Sequence, residues 1–157
     1  MPHHTHTHFA ESIEEYLETV YRLEREGPGV TTSGLADCLG ISRASVSGML
    51  KKLAADGYLD YRARAEPRLT QKGLTIALRV IRRHRLAECL LTHVLGMRRD
   101  EVHHDACMLE HAISDRVEAQ LVRVLGDPKS CPHGHPIPPS NHAARRNGRR
   151  PARERAR

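Results

Sequence analysis

The sequence lacks several features that would place it in other classes of protein. No apolar run in its 157 residues approaches the roughly 20 residues of a membrane-spanning helix, and no charged-then-apolar signal segment opens it. We therefore expect a cytoplasmic protein without a membrane partner. The four cysteines include no C-x2-C pair, which argues against a disulfide framework. An H-E-x-x-H motif and a nucleophile elbow are also missing, so the sequence does not indicate an enzyme.

The excess of positive charge belongs to the end of the sequence rather than to its body. The formal net charge is +6, and residues 141–157 alone hold seven arginines and one glutamate. The other 140 residues carry 18 basic and 18 acidic side chains. Because residues 145–151 offer no apolar side chains to pack, we predict a disordered tail. Salt-sensitive binding of nucleic acid and simple solubilisation both stay open for it. For the histidine-rich residues 3–8 we favour no role over weak metal collection.

The body of the chain shows mostly helical periodicity. Apolar stripes bounded by capping residues, glycine and proline predict helices over about 11–26, 32–39, 43–56, 70–95, 99–111 and 115–125. Ser42 is the predicted cap of the third of these helices and Thr70 of the fourth. Two short strands are predicted over 58–62 and 68–70. The order of helix, Gly40 turn, capped helix and hairpin is typical of a winged helix-turn-helix. Cys38 and Cys89 lie within helical patterns and are predicted to be core thiols.

The predicted helix over 43–56 has the short, cationic outer face of a DNA-recognition helix. In a winged helix-turn-helix its N-terminal end enters the major groove. Arg43 is the best candidate for a base edge, because its fork matches guanine O6 and N7, and the serines can donate to phosphates. A solvated surface explains each basic residue taken singly, but the assembled pattern favours DNA binding. The candidate DNA-binding residues are Thr32, Ser42, Arg43, Ser45, Ser47, Lys51, Lys52, Arg62 and Arg64.

A second group of polar residues has the composition of a transition-metal site. Four candidate ligands occur at helical spacing in one short stretch: His103, Cys107, Glu110 and His111. Thiolate, carboxylate and imidazole together suit a first-row transition metal better than magnesium or calcium. His84 and Glu88, four residues apart, interrupt an apolar helical stripe, and a buried glutamate is rare unless it is paired or bound to metal. A solvated polar face and a buried His–Glu hydrogen bond are the alternatives.

With these motifs in place, the sequence resembles the diphtheria toxin repressor and manganese transport regulator family of metal-dependent repressors. The resemblance covers residues 11 to about 138. It rests on residues 16–21, the helix-turn-helix at 32–57, residues 83–88, the stretch from 102 to 111, and the loop at 131–138.

The resemblance implies a mostly α-helical, homodimeric repressor of metal-uptake genes that binds a palindromic operator in double-stranded DNA. The cofactor would be Mn(II) or Fe(II), with Zn(II), Co(II) or Ni(II) as surrogates. With the predicted elements and the change of composition near Ser140, we expect a winged helix-turn-helix domain over 1–73, a helical metal-binding and dimerisation domain over 74–140, and the tail at 141–157. The metal ion would clamp the first helix onto the dimer core, so that operator affinity rises with metal.

The resemblance also implies three overlapping sets of metal ligands. One set of the iron-type members matches His84, Glu88 and His103. Their second set matches Cys107, Glu110 and His111, with Glu15 where those proteins have a methionine. The manganese-type set matches Glu15, Glu18, His84, Cys107, Glu110 and His111, although Cys107 replaces a glutamate there. Some manganese-responsive relatives also use a late loop, here Cys131 and His133, together with Glu88.

The choice of metal stays open, because Glu15 and Glu18 favour Mn(II) whereas Cys107 favours a softer ion such as Fe(II). A different function also stays open. The chain would then be a metal-independent winged-helix regulator whose His/Cys/Glu cluster is structural.

Overall fold

The computed structural model describes residues 9–27, 29–62 and 65–140. The predictions for the histidine-rich residues 3–8, for Arg64 and for the tail at 141–157 lie outside these described residues. Within them, no helix combines the length and the apolar character that a bilayer crossing needs.

The described chain is mostly helical, as the periodicity predicts. Six α-helices and one small antiparallel sheet follow one another in the described residues: α1 (Phe9–Glu26), α2 (Thr32–Leu39), α3 (Arg43–Ala55), β1 (Leu59–Asp60), β2 (Arg68–Leu69), α4 (Gln71–Cys89), α5 (Val102–Glu110) and α6 (Asp115–Leu125). In the sheet, Leu59 pairs with Leu69 and Asp60 with Arg68. Helix α4 continues into a π-helical turn, Leu90–Val94. The two strands of the wing are shorter than predicted. The predicted long helix changes from α-helical to π-helical geometry at Leu90, before Gly96.

Side-chain caps fix where the helices of the winged helix-turn-helix begin. The Thr31 hydroxyl accepts the Gly34 N–H at the start of α2, and the Ser42 hydroxyl accepts the Ser45 N–H at the start of α3. Thr70 caps α4 in the same way. Each such cap stabilises its helix by about 1 kcal/mol, because it satisfies a backbone donor that has no partner within the helix. The predicted caps at Ser42 and Thr70 are confirmed.

The core of the winged helix-turn-helix is aliphatic and includes part of α1. The side chains of Leu17, Leu35, Leu50 and Leu53 are fully buried in it. Burial of one such side chain contributes about 1.5–3 kcal/mol. Helix α1 is thus part of the DNA-reading domain, although other residues of the same helix face the helices that follow.

Helix α4 joins two hydrophobic cores. Ala77, near its beginning, packs in the core of the reading domain. Leu86 and Ala87, near its end, pack with Val102 and Ala106 of α5 in a second core. A single helix therefore connects the two cores. The polar residues of α4 between them lie at the junction of the two domains.

A buried ionic network fastens α6 and the last loop to α4. Arg82 Nε donates to Glu118 at 2.6 Å, and Arg83 Nε donates to the other oxygen of the same carboxylate at 3.2 Å. The Arg82 guanidinium also donates to the Pro138 carbonyl at 2.6 Å, and Arg85 donates to the Pro136 carbonyl. These contacts place the loop at 130–138 beside the end of α4.

One cysteine lies where the sequence does not predict it. Cys89 is buried, as expected, but Cys38 is exposed. Both positions have helical spacing, yet α2 turns Leu35 and Ala36 to the core and leaves Cys38 on the outer side. The prediction of a core thiol at Cys38 is wrong because periodicity alone does not settle which face of a short helix is covered.

Candidate metal centre and DNA-reading face

Three buried polar residues from three helices meet at the domain junction. Glu18 on α1, His84 on α4 and Glu110 on α5 each bring a ligand atom within 4.8 Å of the others. Their exposed fractions are only 7%, 2% and 3%. His84 Nδ1 lies 2.7 Å from Glu110 Oε2. The sequence therefore places two carboxylates and an imidazole where water is excluded.

His84 also belongs to a second group, formed with two residues of α5. The Cys107 sulfur lies 3.9 Å from His84 Nδ1 and 3.7 Å from His103 Nε2. The two imidazole rings meet edge to face with centroids 4.9 Å apart. The spacing of His103 and Cys107 on one helical turn thus places both beside α4.

A third group joins α4 to the loop at 130–138. Glu88 meets Cys131 and His133, whose ligand atoms also lie within 4.8 Å of one another. Glu88 Oε1 is 3.1 Å from His133 Nδ1 and 3.1 Å from His84 Nε2, so it links this group to the other two. Glu88 Oε1 is also 3.9 Å from His103 Nδ1. All the predicted ligands on α4, α5 and the loop, together with Glu18, therefore lie in or beside one connected region.

The charges of this region are strongly coupled. Burial opposes protonation of His84, but hydrogen bonds to Cys107, Glu110 and Glu88 outweigh it and raise its pKa to about 11. Burial also acts to raise the pKa of Glu88, yet contacts with His84, Cys131 and His133 lower it to about 2. The pKa of Glu18 is raised, first by burial and then by the charge of Glu110. Glu18 and Glu110 thus repel each other where little solvent screens them.

The residues fit a divalent transition-metal ion. His133 Nε2 lies 2.9 Å from the Arg99 carbonyl oxygen, which requires the proton on that nitrogen. A neutral His133 then has its lone pair on Nδ1, 3.1 Å from the Glu88 carboxylate. Two lone-pair atoms at that distance repel unless a proton or a cation lies between them. Carboxylate, imidazole and thiol donors on both sides of His84 are the mixed set that iron, manganese and zinc accept.

Glu14, the neighbour of the predicted ligand Glu15, contacts His111. Glu14 Oε2 lies 2.9 Å from His111 Nδ1, and Glu14 Oε1 accepts from Arg79 Nη2 at 2.7 Å. His111 Nε2 lies 3.2 Å from Glu110, and hydrogen bonds to Glu110 and Glu14 raise the pKa of His111 to about 10. Glu15 is exposed and lines a cleft of about 530 Å³ between α1, α2 and α5. Spacing in the sequence does not separate the two, because Glu14 and Glu15 lie four and three residues before Glu18 and both spacings share a helix face.

The predicted DNA-reading residues form an open face on and beside α3. Arg43, Ser45, Lys51 and Lys52 are exposed, whereas Ser47 is half-buried. A Cβ built on Gly48 meets no atom within 4 Å, so the outer face of α3 is open to solvent at the middle of the helix. The remaining described residues of the set are half-buried or exposed on the turn, α2 and the wing: Thr32, Ser42 and Arg62.

Comparison with known proteins agrees with this geometry over most of the chain. A family model of the iron dependent repressor N-terminal DNA binding domain matches residues 8–65. A second, of the iron dependent repressor metal binding and dimerisation domain, matches residues 70–139.

Named relatives and a solved structure match the same region. The chain is 41% identical over 128 residues to the iron-dependent repressor IdeR of Mycobacterium tuberculosis, covering 82% of this chain and 56% of that protein. It is 40% identical over 128 residues to the diphtheria toxin repressor of Corynebacterium diphtheriae, covering 82% and 57%. A structure of a manganese-dependent transcriptional repressor in complex with manganese superposes with a TM-score of 0.76 at 39% identity, covering 82% of this chain and 59% of that one. The chain thus spans little more than half the length of these relatives.

The matched regions contain both the reading face and all three polar groups. The chain therefore belongs to the iron-dependent repressor family, whose members are DNA-binding transcriptional repressors and not enzymes.

Proposed function

We propose that this protein is a homodimeric transcriptional repressor that binds a palindromic operator when a divalent metal ion is bound. The observation that carries the proposal is the double role of α1. Its Leu17 packs in the core of the reading domain, while its Glu18 reaches His84 and Glu110 at the metal centre. A ligand that holds Glu18 in place therefore acts on the reading domain through one rigid helix.

Two neighbouring sets of residues, linked by the contact of His84 Nε2 with Glu88, would hold the ions. Glu18, His84 and Glu110 form the buried set, with Cys107 and His111 beside it, and Glu88, Cys131 and His133 form the set near the loop. We keep His103 and Glu15 as further ligand candidates at the solvent side. When bound, a divalent ion supplies the positive charge that offsets the facing carboxylates.

Side chains at the domain junction then carry the effect of the bound ion to the reading domain. Glu18 holds α1 against α4 and α5, so the reading domain loses freedom relative to the second domain. A dimer built on the second domain has a fixed spacing between its two recognition helices only in that state. Since metal binds this state better, it shifts the population toward it.

We propose Fe(II) or Mn(II) as the ion, with Zn(II), Co(II) or Ni(II) as surrogates. Relatives named as iron-dependent and manganese-dependent repressors support both choices. The oxygen donors Glu18 and Glu110 favour Mn(II), whereas the Cys107 sulfur favours Fe(II). With the half-buried Cys107, the centre therefore combines donors that favour Mn(II) with one that favours Fe(II).

A second copy of the chain is the expected partner of the second domain. The match to a metal binding and dimerisation domain supports this assignment. Six large apolar side chains of this part of the described chain are exposed and available for it: Val94, Leu95, Met108, Leu109, Val117 and Val124. We divide the chain at 73 and 140, as the sequence predicts, and propose repression of metal-uptake genes in the cytoplasm.

The test is the metal dependence of DNA binding. Double-stranded DNA selected from a random pool with the Mn(II)-loaded protein is labelled, and its affinity is measured by fluorescence anisotropy with Mn(II), with anaerobic Fe(II) and with a chelator. We expect tighter binding with either metal. Equal affinity in the chelator would show instead a metal-independent winged-helix regulator, the alternative function. Unchanged metal binding after replacement of both Glu110 and His111 by alanine would favour that alternative too.

A further inference from the structure

We propose that Glu14 is a positioning residue that determines which nitrogen of His111 faces the metal centre. The inference rests on the proposed function, because it concerns the same centre, but it assigns a residue that the ligand sets do not include. Glu14 Oε2 lies 2.9 Å from His111 Nδ1, on the side of the ring opposite to Nε2.

Carboxylates lie at both nitrogens of His111, and a carboxylate only accepts. When a cation lies between Nε2 and Glu110, the single remaining proton of the ring is therefore on Nδ1, where Glu14 accepts it, and the lone pair is on Nε2. His111 Nε2 is 3.2 Å from Glu110 Oε1, on the side of the ring that faces the buried set. The lone pair is therefore directed to the place where the metal donors converge. Metal-binding histidines commonly donate their other ring N–H to a carboxylate or carbonyl in this way.

Glu14 is not itself a candidate ligand, because both of its oxygens are used. Glu14 Oε1 accepts from Arg79 Nη2 at 2.7 Å, while Oε2 accepts from His111. The Arg79 guanidinium also balances the charge of Glu14, so the carboxylate adds no net charge to the centre. The side chains of Glu14 and His111 are only 18% and 17% exposed, which keeps water from replacing either contact.

The contact also joins three helices at one carboxylate. Glu14 belongs to α1, Arg79 to α4, and His111 is the C-terminal cap residue of α5. Helix α1 therefore provides Glu18 to the buried set directly. Through Glu14 it also contacts His111 at Nδ1, the nitrogen opposite to the one that faces this set. Metal affinity and the docking of α1 are coupled through both carboxylates.

Zn(II) titration of the full chain tests the proposal. We expect Glu14→Ala to weaken Zn(II) binding about 10- to 100-fold. Glu14→Gln keeps an amide oxygen that can accept from Nδ1–H. We therefore expect Glu14→Gln to lose less than about tenfold in Zn(II) affinity, a smaller loss than that of the alanine variant. Glu101→Gln removes an exposed carboxylate of the same domain and should leave the affinity unchanged. Wild-type affinity in Glu14→Ala, or equal losses in the alanine and glutamine variants, would overturn the proposal.

Long-range proton–nitrogen NMR of the Zn(II)-loaded protein gives a second readout that loss of stability alone does not change. We expect wild-type His111 to carry its proton on Nδ1 and to bind Zn(II) through Nε2. Zn(II) on Nδ1 would overturn this inference while leaving the proposed function intact. Failure of the wild-type chain to bind Zn(II) at His111 would overturn this inference, and it would also contradict the metal centre of the proposed function. If Glu14→Ala does not fold, as judged by thermal unfolding, Glu14→Gln against wild type decides both measurements.

Discussion

His84 contacts Glu110 at 2.7 Å through Nδ1, and the opposite nitrogen of the same ring contacts Glu88 at 3.1 Å. One imidazole therefore lies between two buried carboxylates. A neutral imidazole donates only one hydrogen bond, so either a second proton on the ring or a metal ion is needed to satisfy both oxygens. This relationship makes His84 the shared member of the centre.

Replacement of His84 should affect more than one metal group. His84→Ala removes a donor from two of the three groups, whereas Cys131→Ser removes a donor from only one. We expect the alanine variant to bind fewer Mn(II) ions per chain than the serine variant, as counted from the free Mn(II) signal by electron paramagnetic resonance. His84→Asn, nearer in size, guards against loss of folding. Equal Mn(II) binding by the His84 and Cys131 variants would contradict the shared role.

Removal of Glu118 should destabilise the second domain. The Arg82 and Arg83 side chains are 11% and 9% exposed, and both donate to this carboxylate. Glu118→Ala leaves two buried charges with fewer partners, so we expect the free energy of unfolding to fall by about 3–5 kcal/mol. Asp115→Ala is the control, because Asp115 also pairs with Arg83 but is 65% exposed; it should cost at most about 1 kcal/mol. Urea denaturation followed by circular dichroism measures both, and similar losses would refute the argument.

Two glycines should respond in opposite ways to alanine. A Cβ on Gly73 would lie 2.1 Å from the Tyr58 carbonyl oxygen, whereas one on Gly48 meets no atom within 4 Å. Gly73→Ala must push α4 away from the wing, so we expect a loss of about 1–3 kcal/mol in the free energy of unfolding. Gly48→Ala should raise it by about 0.5–1 kcal/mol, because alanine favours a helix. Thermal and urea unfolding check the two signs, and a shared sign would show that the close approach at Gly73 is not limiting.

Arg43 and Arg62 should contribute to DNA binding differently. Arg43 lies at the exposed start of the recognition helix and Arg62 in the wing. We expect Arg43→Ala to cost about 1–3 kcal/mol on the selected DNA and to relax its sequence preference. Arg62→Ala should weaken binding to all sequences and lower the salt slope by about 1. Anisotropy titrations at several salt concentrations on selected and scrambled duplexes separate the two effects; a purely non-specific loss in Arg43→Ala would exclude base reading.

The sequence predicts the helices and most of the centre because their signals are local. Periodic apolar residues place His84 and Glu88 on a covered face, and both are buried. Local signals do not determine whether Glu14 or Glu15 contacts His111. Both belong to α1, and the rotation of that helix against α4 and α5 decides which one meets His111. Cys38 shows the same limit, since the packing of α2 and not its periodicity leaves the thiol exposed. The ligand sets and domain boundaries stay predictions.

The long helix α4 has a consequence for how such proteins diversify. Its first turns complete one core through Ala77 and its last turns complete the other through Leu86. A recombination breakpoint between the two domains would cut a shared structural element rather than a linker, and each fragment would carry an unfilled core. Exchange of reading domains between relatives is therefore expected to succeed only where the crossover preserves this helix, so the two halves should be inherited as a unit.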